Sequence, residues 1–78
     1  MKEKLGKLQP GQRGRVVSLQ RDTPASVERK LLEAGFMEGM AIEVLHVGPV
    51  GGDPIAVRVR GATVALRLSD ADRIEVEI

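Results

Sequence analysis

The chain has no cysteine, tryptophan or tyrosine, a single phenylalanine, Phe36, and a single histidine, His46. The missing cysteines exclude disulfide staples, cysteine-based zinc sites and thiol catalysis, and they fit a reducing cytoplasm. The missing aromatics count against two kinds of small binding module. Proline-rich peptides dock in aromatic-lined grooves, and single-stranded nucleic acids stack on aromatic rings worth about 1–3 kcal/mol per base. No apolar run approaches the roughly 18–20 residues of a membrane-spanning helix. The basic N-terminus has no apolar stretch behind it, so no signal peptide is expected and the protein is expected to stay in the cytoplasm. Twelve Lys and Arg face eleven Asp and Glu, a net charge of +1. No overall field gathers nucleic acid or lipid.

What is present suits one small domain, 1–78. Hydrophobic residues make up 42% of the chain, enough for a core, and the β-branched share favours strands. A core of this size stabilises a fold by only roughly 3–5 kcal/mol. Basic residues crowd the first third (Lys2, Lys4, Lys7, Arg13, Arg15, Arg21) and acids the tail (Asp70, Asp72, Glu75, Glu77). If the two ends lie side by side, these charges neutralise one another.

Periodicity gives the elements. Leu5 and Leu8 anchor the N-terminal arm on a core. A Pro10–Gly11 turn precedes a strand over 15–19. Thr23 reads as a helix N-cap with Pro24 at the first helical position. Over 25–34, Val27, Leu31 and Ala34, with Leu32 beside them, make an apolar stripe, and Gly35 ends the helix. A strand over 40–47 turns Ile42 and Val44 inward, with His46 in the same register. A long loop, 48–54, leads to a strand over 55–60 with Ile55, Val57 and Val59 inward. Val64, Leu66 and Leu68 then face in. A helical turn follows at 69–72, and Ile74, Val76 and Ile78 form the last strand. Five short strands with one inserted helix predict a mainly β fold, a small barrel.

No constellation for catalysis is present. There is no phosphate-binding loop and no dinucleotide fingerprint. Gly51-Gly52-Asp53 could present amides to an anion, but a hairpin loop accounts for it more simply. His46 has no triad with Ser18 or Ser26. One histidine and scattered carboxylates do not converge as a metal site; Asp70 and Asp72 read as capping residues, Met37 and Met40 as adaptable apolar side chains. Neither a catalytic residue, a metal ligand nor a cofactor is therefore expected. Arg58, Arg60 and Arg67 form an outward basic stripe, which Glu75 and Glu77 are expected to balance, so a solvated wall is favoured over nucleic-acid binding.

Several segments, in order, resemble one family. The stretch from Arg29-Lys30-Leu31-Leu32 through Glu33-Ala34-Gly35-Phe36-Met37-Glu38-Gly39 is similar to the helix and Leu-Gly-hydrophobic-x-Pro-Gly turn of ferrous iron transport protein A, FeoA. Gly52-Asp53-Pro54, Val64-Ala65-Leu66-Arg67, Ile74-Glu75-Val76 and the opening Leu8-x-Pro10-Gly11-x-x-Gly14 also match that pattern. Ala34 and Glu38 depart from it, standing where Leu and Pro are usual, and Gly51 is extra. The resemblance implies an SH3-like barrel. It also implies a non-catalytic cytoplasmic accessory role in bacterial ferrous iron transport, with the membrane GTPase transporter FeoB as partner. The same domain type ends metal-dependent repressors, but this chain has no helix-turn-helix. An alternative is a stand-alone barrel that binds nucleic acid or another protein. The expected partner surface is the helix and its following turn, through Arg29, Lys30, Glu33, Phe36, Met37 and Met40, rather than the arginine wall. An apolar patch with a charged rim is what an interaction site looks like.

Overall fold

The computed structural model describes residues 1–78. Six strands form one antiparallel sheet in the order β1-β6-β2-β3-β4-β5. They are β1 (Lys2–Lys4), β2 (Arg13–Leu19), β3 (Ala41–Gly48), β4 (Gly52–Val59), β5 (Ala62–Leu66) and β6 (Ile74–Glu77). A 3-10 turn at Leu5–Lys7 follows β1, helix α1 (Ala25–Ala34) joins β2 to β3, and the short α2 (Leu68–Ala71) joins β5 to β6. The mainly β, SH3-like class expected from the sequence is therefore what forms.

Alternation places the core. Ile42 and Val44 of β3, Ile55, Val57 and Val59 of β4, Leu66 of β5, and Ile74 and Val76 of β6 all join one buried cluster. Leu31 supplies the helix anchor, and Leu5 and Leu8 plug the cluster from the N-terminal arm. The apolar stripe of α1 holds at three positions, with Leu31 fully buried and Val27 and Ala34 packed half-buried against the cluster.

The structure departs from the sequence reading in several places. There are six strands rather than five, because β1 adds to β6 with Lys2 opposite Glu77 and Lys4 opposite Glu75. This pairing places the basic start against the acidic tail. Thr23 does not cap α1: its hydroxyl donates to the Gln20 carbonyl at 2.6 Å, and Pro24 itself takes the N-cap position. His46 is exposed. A register shift between Val44 and His46 inserts Leu45 as an extra residue, so the alternation flips. Ile78 is 40% exposed, beyond the last paired residue of β6. Glu75 and Glu77 do not balance Arg58, Arg60 and Arg67, because β2 and β3 lie between β6 and β4. Arg58 instead pairs with Glu43 across β3–β4 at 3.4 Å.

Candidate interaction surface

Helix α1 ends in a motif that decides where its neighbours point. Gly35 has φ 112°, a left-handed conformation that suits glycine. Its N–H donates to the Leu32 carbonyl at 3.0 Å, and the Phe36 N–H donates to the Leu31 carbonyl at 3.0 Å. This is the Schellman arrangement, in which the residue after the left-handed glycine commonly packs against the residue five positions earlier. Phe36 and Leu31 are both fully buried in the one core cluster. Phe36 is therefore a core residue, and its place in the expected exposed patch is corrected. The spacing Leu31…Gly35-Phe36 carried that signal.

The other five expected contact residues do not form one patch. At about 100° per residue, Arg29 and Glu33 lie opposite Leu31 on the outermost face of α1, and both are exposed. Lys30 turns to the side, where its Nζ meets Asp70 Oδ2 of α2 at 2.7 Å. Met37 is 39% exposed in the turn after α1. Leu32, expected beside the buried stripe, is instead 40% exposed and adds apolar area on the β2 side of the helix. Met40 is half-buried and packs on the core. It also lines a different concavity.

That concavity is the largest on the molecule, an open groove of about 790 Å³ across β2, β3 and β4. Met40, Ala41, Ile42 and Ile78 supply its apolar lining, and Arg13, Arg15, Arg58 and Arg60 line it too. Its charge is partly spent internally. Glu43 takes both Arg13, at 3.7 Å, and Arg58, at 3.4 Å. The Arg15 guanidinium donates to the Gly39 carbonyl at 2.9 Å, which ties β2 to the turn after α1. Another concavity, about 210 Å³, lies between α1 and β5 and is lined by Lys30, Leu31, Ala34, Val64–Arg67 and Asp70.

Neither concavity holds a triad or a convergent ligand set; no three His, Cys, Asp or Glu side chains lie close enough to share a metal ion. No helix is long and apolar enough to cross a membrane. What the surface offers is an exposed helix face, a methionine turn and three grooves, the third, of about 220 Å³, lying between β2 and α1.

The model of the FeoA domain matches residues 3–78. A fusion protein of Fe(2+) transport protein A and the Fe(2+) transporter FeoB from Porphyromonas gingivalis is 40% identical over 50 residues, which is 64% of this chain. The chain spans only 6% of that relative's length. Zinc-complexed FeoA from Stenotrophomonas maltophilia, described as a procaryotic SH3 domain protein, superposes with a TM-score of 0.81 at 35% identity, covering 99% of this chain and 89% of the other. A manganese-dependent transcriptional repressor shares the fold, with a TM-score of 0.85 at 24% identity over 96% of this chain and 40% of the repressor. With the match running over nearly its whole length, this chain belongs to the FeoA family.

Proposed function

We propose that the protein is a non-catalytic accessory subunit of bacterial ferrous iron transport, acting in the cytoplasm by binding an FeoB-type membrane GTPase transporter. The observation that carries this reading is the relative in which an FeoA-like region and the transporter are parts of one polypeptide. Joining two chains raises their effective concentration for each other, which favours parts that work in contact. The surface is consistent with such a role. It presents grooves and exposed apolar side chains, and no convergent group for chemistry. Within it, we assign the contact to Arg29 and Glu33 on the outer face of α1, Lys30 on its flank and Met37 in the following turn, and leave out Met40, which lines the other groove.

The test is retention of the protein on the purified transporter, with and without guanine nucleotide. Retention in at least one nucleotide state is expected, and absence from both overturns the reading. Two variants that keep the fold place the surface. Met37→Asp is expected to weaken retention and Arg58→Glu to leave it intact. The reverse pattern moves the contact to the β2–β3–β4 groove.

A further inference from the structure

The sheet is open, and its two edges are built differently. Edge strand β1 has three residues, two of them lysines. A short, charged edge resists pairing with another chain. Edge strand β5 is the opposite. Its sequence, Ala62-Thr63-Val64-Ala65-Leu66, carries no charge and no proline. It pairs with β4 through five consecutive positions without a bulge, whereas β2–β6 and β3–β4 both contain register shifts. On its other side β5 has no neighbouring strand. Over five residues, roughly 17 Å, a regular row of amides and carbonyls is left for an incoming strand.

Three further features surround this edge. The 210 Å³ concavity runs between it and α1, with Leu31, Ala34 and Val64 as apolar lining. Arg60 precedes the strand and Arg67 follows it; both are exposed, and no carboxylate pairs with either, all five ion pairs lying elsewhere. Arg60 is also the one non-glycine residue with a positive φ, 54°, a conformation uncommon outside Gly, Asn and Asp. It opens the two-residue turn with Gly61 between β4 and β5, and its stem occupies the space that a Cβ on Gly35 would need, 2.7 Å away. The end of α1 and the start of β5 are thereby held together at an arginine.

We propose that the free edge of β5 is a strand-addition site for an extended protein segment with apolar residues at alternate positions and a carboxylate near each end. The main-chain row supplies affinity, and the side-chain concavity beside it supplies specificity, as in other strand-addition complexes. The proposal rests on the transporter reading above, which makes the transporter the owner of that segment. It extends the contact from Lys30 of α1 to Arg60 and Arg67, which flank the edge. Arg58 stays outside it, paired on the sheet face. Charge also argues against a second copy of this chain as the occupant. A two-fold antiparallel pairing centred on Val64 sets Gly61 opposite the other copy's Arg67, with Arg60 next to it. Like charges would then meet at both ends, which disfavours the pairing.

Amide hydrogen exchange of β5 tests this, with two probes: the transporter's purified cytoplasmic GTPase part, and a synthetic seven-residue peptide of alternating valine and threonine ended by glutamates. A lysine-ended peptide is the control. Exchange at residues 62–66 is expected to slow by roughly tenfold or more with either probe near saturation, and not with the control. Ala65→Lys, a charge on the exposed side of the edge, and Arg67→Glu, which leaves the strand untouched, are each expected to weaken both probes by about tenfold. Binding of the transporter part with unchanged exchange at β5, and no effect of the glutamate-ended peptide, overturns the proposal. So does protection that appears with rising concentration of this protein alone, because a second copy is then the occupant. If the peptide protects β5 while the transporter part does not bind, the strand-addition site stands and only the transporter reading fails.

Discussion

Four glycines, Gly6, Gly14, Gly35 and Gly48, leave no room for a methyl group, and two of them contrast. A Cβ on Gly6 would lie 2.1 Å from Asp72 Oδ1, and a Cβ on Gly48 would lie 2.3 Å from the Asp53 carbonyl oxygen. The first obstacle is the end of a side chain and can turn away. The second is backbone inside the β3–β4 hairpin and cannot. Gly48→Ala is therefore expected to destabilise more than Gly6→Ala, by about 1–3 kcal/mol for the milder case. Asp72→Ala in the same chain is expected to recover part of the Gly6→Ala loss, since neighbouring effects couple. Chemical denaturation of the four proteins checks both statements, and equal losses at the two glycines would refute the distinction. Leu31 is the other decisive residue. It is fully buried, and Leu31→Ala is expected to cost about 2–5 kcal/mol, most of what so small a domain holds. A thermal melt of the variant matching the parent would show that α1 does not depend on this anchor. Leu31 was legible as the centre of an apolar stripe. The glycines were not, because their obstacles, Asp72 and the Asp53 carbonyl, approach only in the folded chain.

At the scale of elements, the Gly52-Asp53-Pro54 segment turns out to do more than make a loop. An Asp53 carboxylate oxygen accepts a hydrogen bond from the Leu68 N–H, the first of α2, at 2.9 Å. The start of β4 thus caps a helix fifteen residues later in the chain. Side-chain caps contribute about 0.5–2 kcal/mol, so Asp53→Ala is expected to destabilise by about 1 kcal/mol. It is also expected to speed amide exchange in α2 before that in α1; unchanged exchange in α2 would remove the cap from the account. Sequence reading took 48–54 as loop and Leu68 as an inward strand residue, whereas Gly52–Pro54 open β4 and Leu68 opens α2; it missed the bond as well, because a cap supplied from a distant hairpin leaves no local pattern. The bulge that exposes His46 was missed for a related reason. Inserting Leu45 keeps the apolar character of β3 while reversing its faces, so alternation alone does not mark it. Pairing of β1 with β6 joins the termini. There the N-terminal ammonium donates to Glu77, and that bond, with the charges of the ammonium and of Lys2, holds the carboxyl below its ordinary 4.5 against an opposing desolvation effect. A carboxyl lowered in the folded state stabilises above the ordinary range, and the benefit is lost as pH falls through the lowered value. Acetylating the N-terminus removes the ammonium's bond and charge and is expected to raise the Glu77 value, with the Lys2 charge left in place, which carbon-detected NMR would follow.

For the whole molecule, strand order decides what the charges can do, and strand order is the feature least visible in a sequence. Alternation marked Arg58, Arg60 and Arg67 as outward, but it could not say what stands beside them. Placing β3 against β4 gives Arg58 to Glu43, which Arg13 shares. Arg60 sits at the tip of the β4–β5 turn and Arg67 beyond the far end of β5. The three therefore do not form a stripe along which phosphates could run. Elsewhere Arg73 meets Asp22 at 3.3 Å and Lys30 meets Asp70 at 2.7 Å. Sharing a fold with a transcriptional repressor does not supply the missing line of cations. Each phosphate neutralised adds about 0.9 to the slope of log affinity against log salt. With Arg13 and Arg58 held by Glu43, and Arg15, Arg60 and Arg67 the arginines without a carboxylate partner around these strands, the slope is expected to be shallower than about 3, and duplex binding at about 150 mM salt to be weaker than roughly 0.1 mM. Fluorescence anisotropy of a labelled duplex over a salt series measures both quantities. Micromolar binding with a slope of about 4 or more would mean that the internal ion pairs open to admit phosphates, and nucleic acid would then replace a protein segment as the ligand of this barrel.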